Sequence, residues 1–122
     1  MATERLIAII DDDEPCRTAI QELLSVLDYR ARGFASADEF LAAGDEGSYD
    51  CIVTDIHMPG ISGFDLKRLL IARGFAVPVI MITARSEPDL EAMAAECGAV
   101  GLLRKPFEID TLNGFLKAAL KI

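Results

Sequence analysis

Cationic residues are scarce in this chain: 12 Lys and Arg stand against 20 Asp and Glu, a net charge of -8. A surface that neutralises nucleic-acid phosphates needs clustered cations, so this balance argues against direct nucleic-acid binding. Histidine occurs once, as His57, and cysteine three times, as Cys16, Cys51 and Cys97, with no C-x-x-C pair. An odd number of thiols with a single imidazole argues against a disulfide frame or a zinc centre and reads as reduced cysteines of a cytoplasmic protein, packed in or near its core. No apolar run approaches the roughly 18 residues of a membrane span. The opening Met-Ala-Thr-Glu-Arg lacks a signal-peptide pattern, so a soluble protein that does not engage membranes is expected. Repeats, low-complexity tracts and linker-like stretches are also missing. The 122 residues, 52% of them hydrophobic, are expected to form one domain, 1–122, around a single core.

What is present is an alternation of short apolar runs and amphipathic stretches. Leu6 to Ile10 is uninterrupted and rich in Ile, a strand buried on both faces. Glu14-Pro15 opens a helix, because Pro is tolerated in a first turn and carboxylates suit the positive helix end. Cys16, Ala19, Ile20, Leu23, Leu24 and Leu27 give that helix its stripe. Tyr29 to Phe34 is a second strand, and its alternating Arg30 and Arg32 suit a place at the sheet edge. Ser36 with Glu39 predicts a capped helix ending near Gly44, followed by a loop from Asp45 to Tyr49. Cys51 to Val53 is a third, central strand that ends in Asp55, and Pro59-Gly60 with Gly63 turns the backbone away from that acid. Ser62 and Asp65 cap a third helix to Gly74, Val77 to Thr83 forms a fourth strand, and Ser86 with Asp89 starts a fourth helix that stops at Gly98. Val100 to Leu103 is the fifth strand, Lys105-Pro106 breaks the chain, and Ile109 to Leu120 is the closing helix.

Five strands alternating with five helices imply an α/β domain with one parallel sheet covered on both faces. The expected arrangement is flavodoxin-like and doubly wound, strand order 2-1-3-4-5, with the weakly patterned second strand at an edge. In such a sheet ligands bind at the carboxyl ends of the strands, where the winding reverses, here between strands one and three. Asp11 and Asp12 follow strand one, Asp55 follows strand three, Thr83 closes strand four and Lys105 follows strand five. Carboxylates about 5 Å apart repel by roughly 3 kcal/mol per pair at an effective dielectric near 20. A divalent cation removes that repulsion, and oxygen-only ligands with an open position suit magnesium, with manganese as the alternative. Magnesium beside a carboxylate, a hydroxyl and an ammonium is a phosphoryl-transfer constellation: Asp55 attacks, the metal and Lys105 hold the equatorial oxygens, and Thr83 donates a hydrogen bond.

The acidic pair in Ile-Ile-Asp-Asp-Asp-Glu-Pro, the segment Val-Thr-Asp-Ile-His-Met-Pro-Gly-Ile-Ser-Gly, then Ile-Thr-Ala and Lys-Pro-Phe occur in this order, each after its own strand. In this the chain resembles the receiver domain of two-component response regulators over essentially its whole length. The resemblance implies that Asp55 accepts a phosphoryl group from the phosphohistidine of a sensor histidine kinase or histidine phosphotransfer protein. It implies magnesium on Asp12, Asp55 and the backbone carbonyl of His57, with Asp11 helping mainly through water, and a cis peptide at Lys105-Pro106 that aims the ammonium into the cleft. Such a domain catalyses only its own phosphorylation and dephosphorylation. It switches conformation to control a downstream effector, in some cases through a phosphorylation-dependent homodimer, with the fourth and fifth helices and strand five as readout face. One position departs from the pattern: Leu102 stands where the family commonly has an aromatic switch residue, so its readout is expected to differ or to be weaker.

Taken singly, each signal has a plainer meaning. Asp11 to Asp13 can merely favour a helix N-terminus, with Asp13 a solvated or capping acid. Thr83 can be a strand-end hydroxyl and Lys105 a surface charge. His57 is expected to be an exposed loop side chain whose carbonyl, not imidazole, does the work. Two other functions compete: a doubly wound domain binding a nucleotide or flavin, and a receiver-like interaction domain that is never phosphorylated. The first would want a Gly-rich phosphate loop after strand one, where this chain has three acids.

Overall fold

The structure is a computed structural model and describes residues 5–122; the first four residues of the expected 1–122 domain lie outside the described part. Strands β1 (Leu6–Ile10), β2 (Arg30–Phe34), β3 (Cys51–Asp55), β4 (Val79–Thr83) and β5 (Gly101–Arg104) alternate with helices α1 (Glu14–Val26), α2 (Ala37–Ala43), α3 (Gly63–Ala72), α4 (Asp89–Glu96) and α5 (Ile109–Leu120). All strands pair in parallel in the order β2-β1-β3-β4-β5, as expected.

Side-chain alternation along the strands builds two cores. Ile7 and Ile9, Cys51 and Val53, Ile80 and Ile82, and Leu103 pack with Ile20 and Leu24 of α1 and with Leu112 and Leu116 of α5. Their neighbours Ala8, Ile10, Ile52, Val79 and Met81 pack with Phe40 of α2, Leu66 and Leu70 of α3, and Ala94 of α4. Every residue of β3 and β4 is buried, which explains runs without polar alternation. Edge strand β2 exposes Arg30 and Arg32, and the Arg32 guanidinium sits 5.6 Å from the Phe34 ring centroid and pairs with Asp45 at 2.6 Å.

Two of the three expected Ser caps form: Ser36 Oγ accepts from the Glu39 amide at 3.0 Å and Ser62 Oγ from the Asp65 amide at 3.1 Å. The third does not. Helix α4 begins at Asp89 with Pro88 at its cap position and no side-chain cap bond, so Ser86 stays in the loop. Strand β4 begins at Val79, two residues later than expected, because the carbonyl of Val77 accepts from Lys67 Nζ at 3.3 Å and Pro78 has no amide to add to the ladder. The expected loop from Asp45 to Tyr49 contains a 3-10 turn, Glu46–Ser48, whose buried Glu46 pairs with Arg73 at 3.4 Å.

Candidate functional site

Strand parity gathers the charged residues. Asp11 continues the series Ile7, Ile9; Asp55 continues Cys51, Val53; Lys105 continues Leu103. All three project on the α1/α5 side at the carboxyl rim of the sheet. There Lys105 Nζ donates to Asp11 Oδ2 at 3.0 Å and to Asp55 Oδ2 at 3.2 Å, joining residues 94 and 50 positions apart. The Lys105-Pro106 peptide is cis.

Asp11 is fully buried, and its other oxygen accepts from the Asp13 amide at 3.0 Å. Asp12 is exposed, yet its carboxylate belongs to a trio in which one oxygen each from Asp11, Asp12 and Asp55 lie within 4.8 Å of one another. Asp13 holds the cap position of α1 without a side-chain cap bond, so its carboxylate is a solvated one. Asp55 is 7% exposed and its Oδ1 accepts from the His57 amide at 3.3 Å. Burial pushes the Asp55 carboxyl above the usual Asp range and the Asp11 charge adds to this; Lys105 only partly opposes it. Burial also works against the Lys105 charge, but its bond to Asp11 and the two carboxylate charges outweigh burial and hold the ammonium above the ordinary lysine value.

The start of α3 presses directly on this strand end. The Gly63 amide donates to the Ile56 carbonyl at 2.9 Å, and a Cβ at Gly63 would lie 2.6 Å from the Asp55 carbonyl oxygen. Only glycine permits that approach. Gly60, at φ +81°, makes the preceding turn.

Thr83 is fully buried at the end of β4, one residue beyond Ile82, the register partner of Asp55. Its hydroxyl accepts from the Arg85 amide at 3.0 Å, and its carbonyl accepts from the Lys105 amide at 2.8 Å. His57 departs from expectation: it is half-buried, and Nδ1 is enclosed without a hydrogen-bond partner among the described residues. It lines a groove of about 570 Å³ with Met58, Phe64, Arg85, Leu90 and Met93.

Three further residues at the rim escaped the sequence reading. Arg17 Nη1 donates to the Asp11 carbonyl at 2.6 Å, a contact made six residues on, from a helix position that otherwise reads as solvated. Cys16 lies beside Asp11 and Lys105, and burial followed by the Asp11 hydrogen bond pushes its thiol up to about 11. Arg104 Nη1 donates to the Arg85 carbonyl at 2.6 Å. No spacing rule signals these contacts, since each depends on the tertiary placement of the strand ends against their neighbours. Leu102 is half-buried against the core on the α4 side.

Comparison with known proteins bears on the family and the fold. Residues 7–117 match the family described as the response regulator receiver domain. The transcriptional regulatory protein FixJ of Bradyrhizobium diazoefficiens is 33% identical over 121 residues, 99% of this chain and 59% of that protein. FixJ of Azorhizobium caulinodans is 37% identical over 114 residues, 93% of this chain and 54% of that protein. The chain thus spans little more than half the length of these relatives. Among solved structures, that of FixJ-N superposes with a TM-score of 0.89 at 29% identity, covering 98% of this chain and 96% of that one. A response regulator receiver protein from Burkholderia phymatum superposes with a TM-score of 0.85 at 35% identity, covering 98% and 97%. Among the described residues, no helix is long and apolar enough to cross a membrane.

Proposed function

The chain belongs to the receiver-domain family of response regulators, and on that premise we propose that it accepts a phosphoryl group on Asp55 from a phosphohistidine of a histidine kinase or phosphotransfer protein. One observation carries the reading: an ammonium from the end of β5 is shared by buried carboxylates from the ends of β1 and β3. In the transfer an oxygen of Asp55 forms the new P–O bond as the P–N bond of the donor imidazole breaks, and the imidazole departs with the electron pair. The carboxylate attacks as the anion. Lys105 Nζ already reaches Asp55 Oδ2 and is placed to hold a phosphoryl oxygen, and the Thr83 hydroxyl has a proton to donate to another.

Three convergent carboxylates offering only oxygen suit a hard divalent cation. Asp11, Asp12, Asp55 and the His57 backbone carbonyl would hold magnesium, or manganese in its place. When bound, the ion neutralises the carboxylates and the charge gathering on the transferring group. An open apolar groove of about 390 Å³, lined by Cys16, Ala19, Ile20, Leu23, Pro106 and Phe107, adjoins Lys105 and offers the phosphodonor protein a seat beside the acceptor.

The domain's chemistry is confined to its own phosphorylation and the later hydrolysis of the acyl phosphate. Its output is a population shift. A phosphoryl group favouring one arrangement by about 3 kcal/mol turns a minor state into the main one, and an effector domain or protein, or a second copy of the chain, reads that state. The test is intact-mass measurement after incubation with a small acyl phosphate and magnesium. Wild type gains one acid-stable, base-labile phosphoryl group and Asp55→Ala gains none; equal modification of both removes Asp55 from the role.

A further inference from the structure

We propose that Arg104 is the positioning residue that ties the acceptor site to α4; the inference rests on the phosphoacceptor reading of Asp55. Arg104 is the register partner of Thr83, so the two side chains leave β5 and β4 on the same face. Its guanidinium spans the loop between β4 and α4: Nη1 donates to the Arg85 carbonyl at 2.6 Å, and Nη2 donates to the Glu87 carbonyl at 3.2 Å and reaches Glu91 Oε1 at 3.4 Å. Glu91 belongs to the first turn of α4. The planar fork of arginine suits such divided attachment, whereas a lysine ammonium offers a single point.

The peptide links around Arg85 are held on both sides. Its amide donates to Thr83 Oγ1 at 3.0 Å, and its carbonyl is held by Arg104. A hydroxyl has one proton to give and lone pairs to accept with, so Thr83 can donate to a phosphoryl oxygen without releasing the Arg85 amide. Arg85 then follows the hydroxyl, and its carbonyl draws on the guanidinium, which also grips Glu87 and Glu91. The Arg85 side chain is turned to Glu87 at 3.7 Å and is largely exposed, so the backbone rather than that side chain is the held part. Movement of one hydroxyl at the site is thereby delivered to the first turn of α4 through a strap on the edge strand.

The experiment is amide hydrogen exchange by mass spectrometry on wild type, Arg104→Gln, Arg104→Lys, Thr83→Val and the Thr83→Val/Arg104→Gln double variant. Each is measured with and without a small acyl phosphate and magnesium, and intact mass counts the phosphoryl groups. Without phosphodonor, peptides over residues 84–91 of Arg104→Gln exchange about tenfold faster than wild type, as expected for loss of charge-assisted hydrogen bonds. With phosphodonor, wild type and Arg104→Gln each take one phosphoryl group, but the change of exchange over α4 seen in wild type collapses in Arg104→Gln and is partly restored in Arg104→Lys. On the Thr83→Val background, Arg104→Gln removes nothing further from the α4 response, a non-additivity that a purely structural arginine would not show. An α4 response in phosphorylated Arg104→Gln equal to that of wild type, or additive effects in the double variant, overturns the proposal. A wild type that takes no phosphoryl group overturns the phosphoacceptor reading itself, and the inference falls with it.

Discussion

Replacing Asp55 by Asn should stabilise the protein in the absence of divalent cations, although it removes an ion pair. Lys105 lies 3.2 Å from Asp55 Oδ2, an attraction of about 5 kcal/mol at an effective dielectric near 20. Asp11 brings an oxygen within 4.8 Å, a repulsion of about 3.5 kcal/mol on the same scale. The screened charge of Asp12 adds to it, so the charge–charge interactions nearly cancel. What remains is the cost of burying a carboxylate, the same effect that leads in raising its pKa. A net gain of about 1–2 kcal/mol for Asp55→Asn at neutral pH follows, which raises Tm by roughly 5 °C for a domain of this size.

The pH dependence has a definite sign. Because the folded-state pKa lies above the unfolded value near 3.8, the folded form binds more protons between those two values, and this group's contribution to stability falls as pH rises through that window. The advantage of Asp55→Asn should therefore be small near pH 4, grow as pH rises, and level off once the carboxyl is ionised in the folded state as well. If magnesium binds the folded wild type as proposed, adding it should stabilise wild type and narrow the gap. Melting curves in a chelating buffer from pH 4 to 8 measure this. An Asn variant that melts below wild type at pH 7 without metal, or an advantage that shrinks as pH rises, would refute the electrostatic reasoning.

Three further outcomes follow from the packing. A Cβ at Gly101 would lie 2.4 Å from a Phe115 ring carbon, so Gly101→Ala must displace that ring and lowers stability by about 1–3 kcal/mol, read as a reduced urea midpoint. Ser62→Ala deletes the cap bond of α3 and costs about 1 kcal/mol, while Ser86→Ala costs almost nothing in the same assay, because Ser86 caps no helix. Burial pushes the Cys51 thiol up to about 12 and the Cys16 thiol up to about 11, so alkylation at pH 8 should be slow at both until denaturant is added, as peptide mapping over time would show.

The sheet was legible because its strands are fully buried: apolar runs such as Val79 to Thr83 and Cys51 to Val53 have no other stable use at that length. Their order is the doubly wound arrangement that puts the weakly patterned β2, with its exposed Arg30 and Arg32, at an edge, a choice that the residues alone do not dictate. Element starts were less legible where a distant group competes for the backbone. Lys67 on α3, a residue only 7% exposed, donates to the Val77 carbonyl where β4 falls short of its expected start. Of the site, the acids and Lys105 could be read because each terminates a strand. The half-buried imidazole of His57 and the contacts of Arg17 and Arg104 could not, because tertiary placement rather than spacing creates them.

On the phosphoacceptor reading the Asp55 carboxylate becomes an acyl phosphate. Borohydride reduces an acyl phosphate to the alcohol, so treating protein incubated with small phosphodonor and magnesium, then mapping peptides, marks the acceptor as homoserine. Homoserine at position 55, absent when magnesium is chelated, is the predicted result; homoserine at another acid, or at none, would contradict the account.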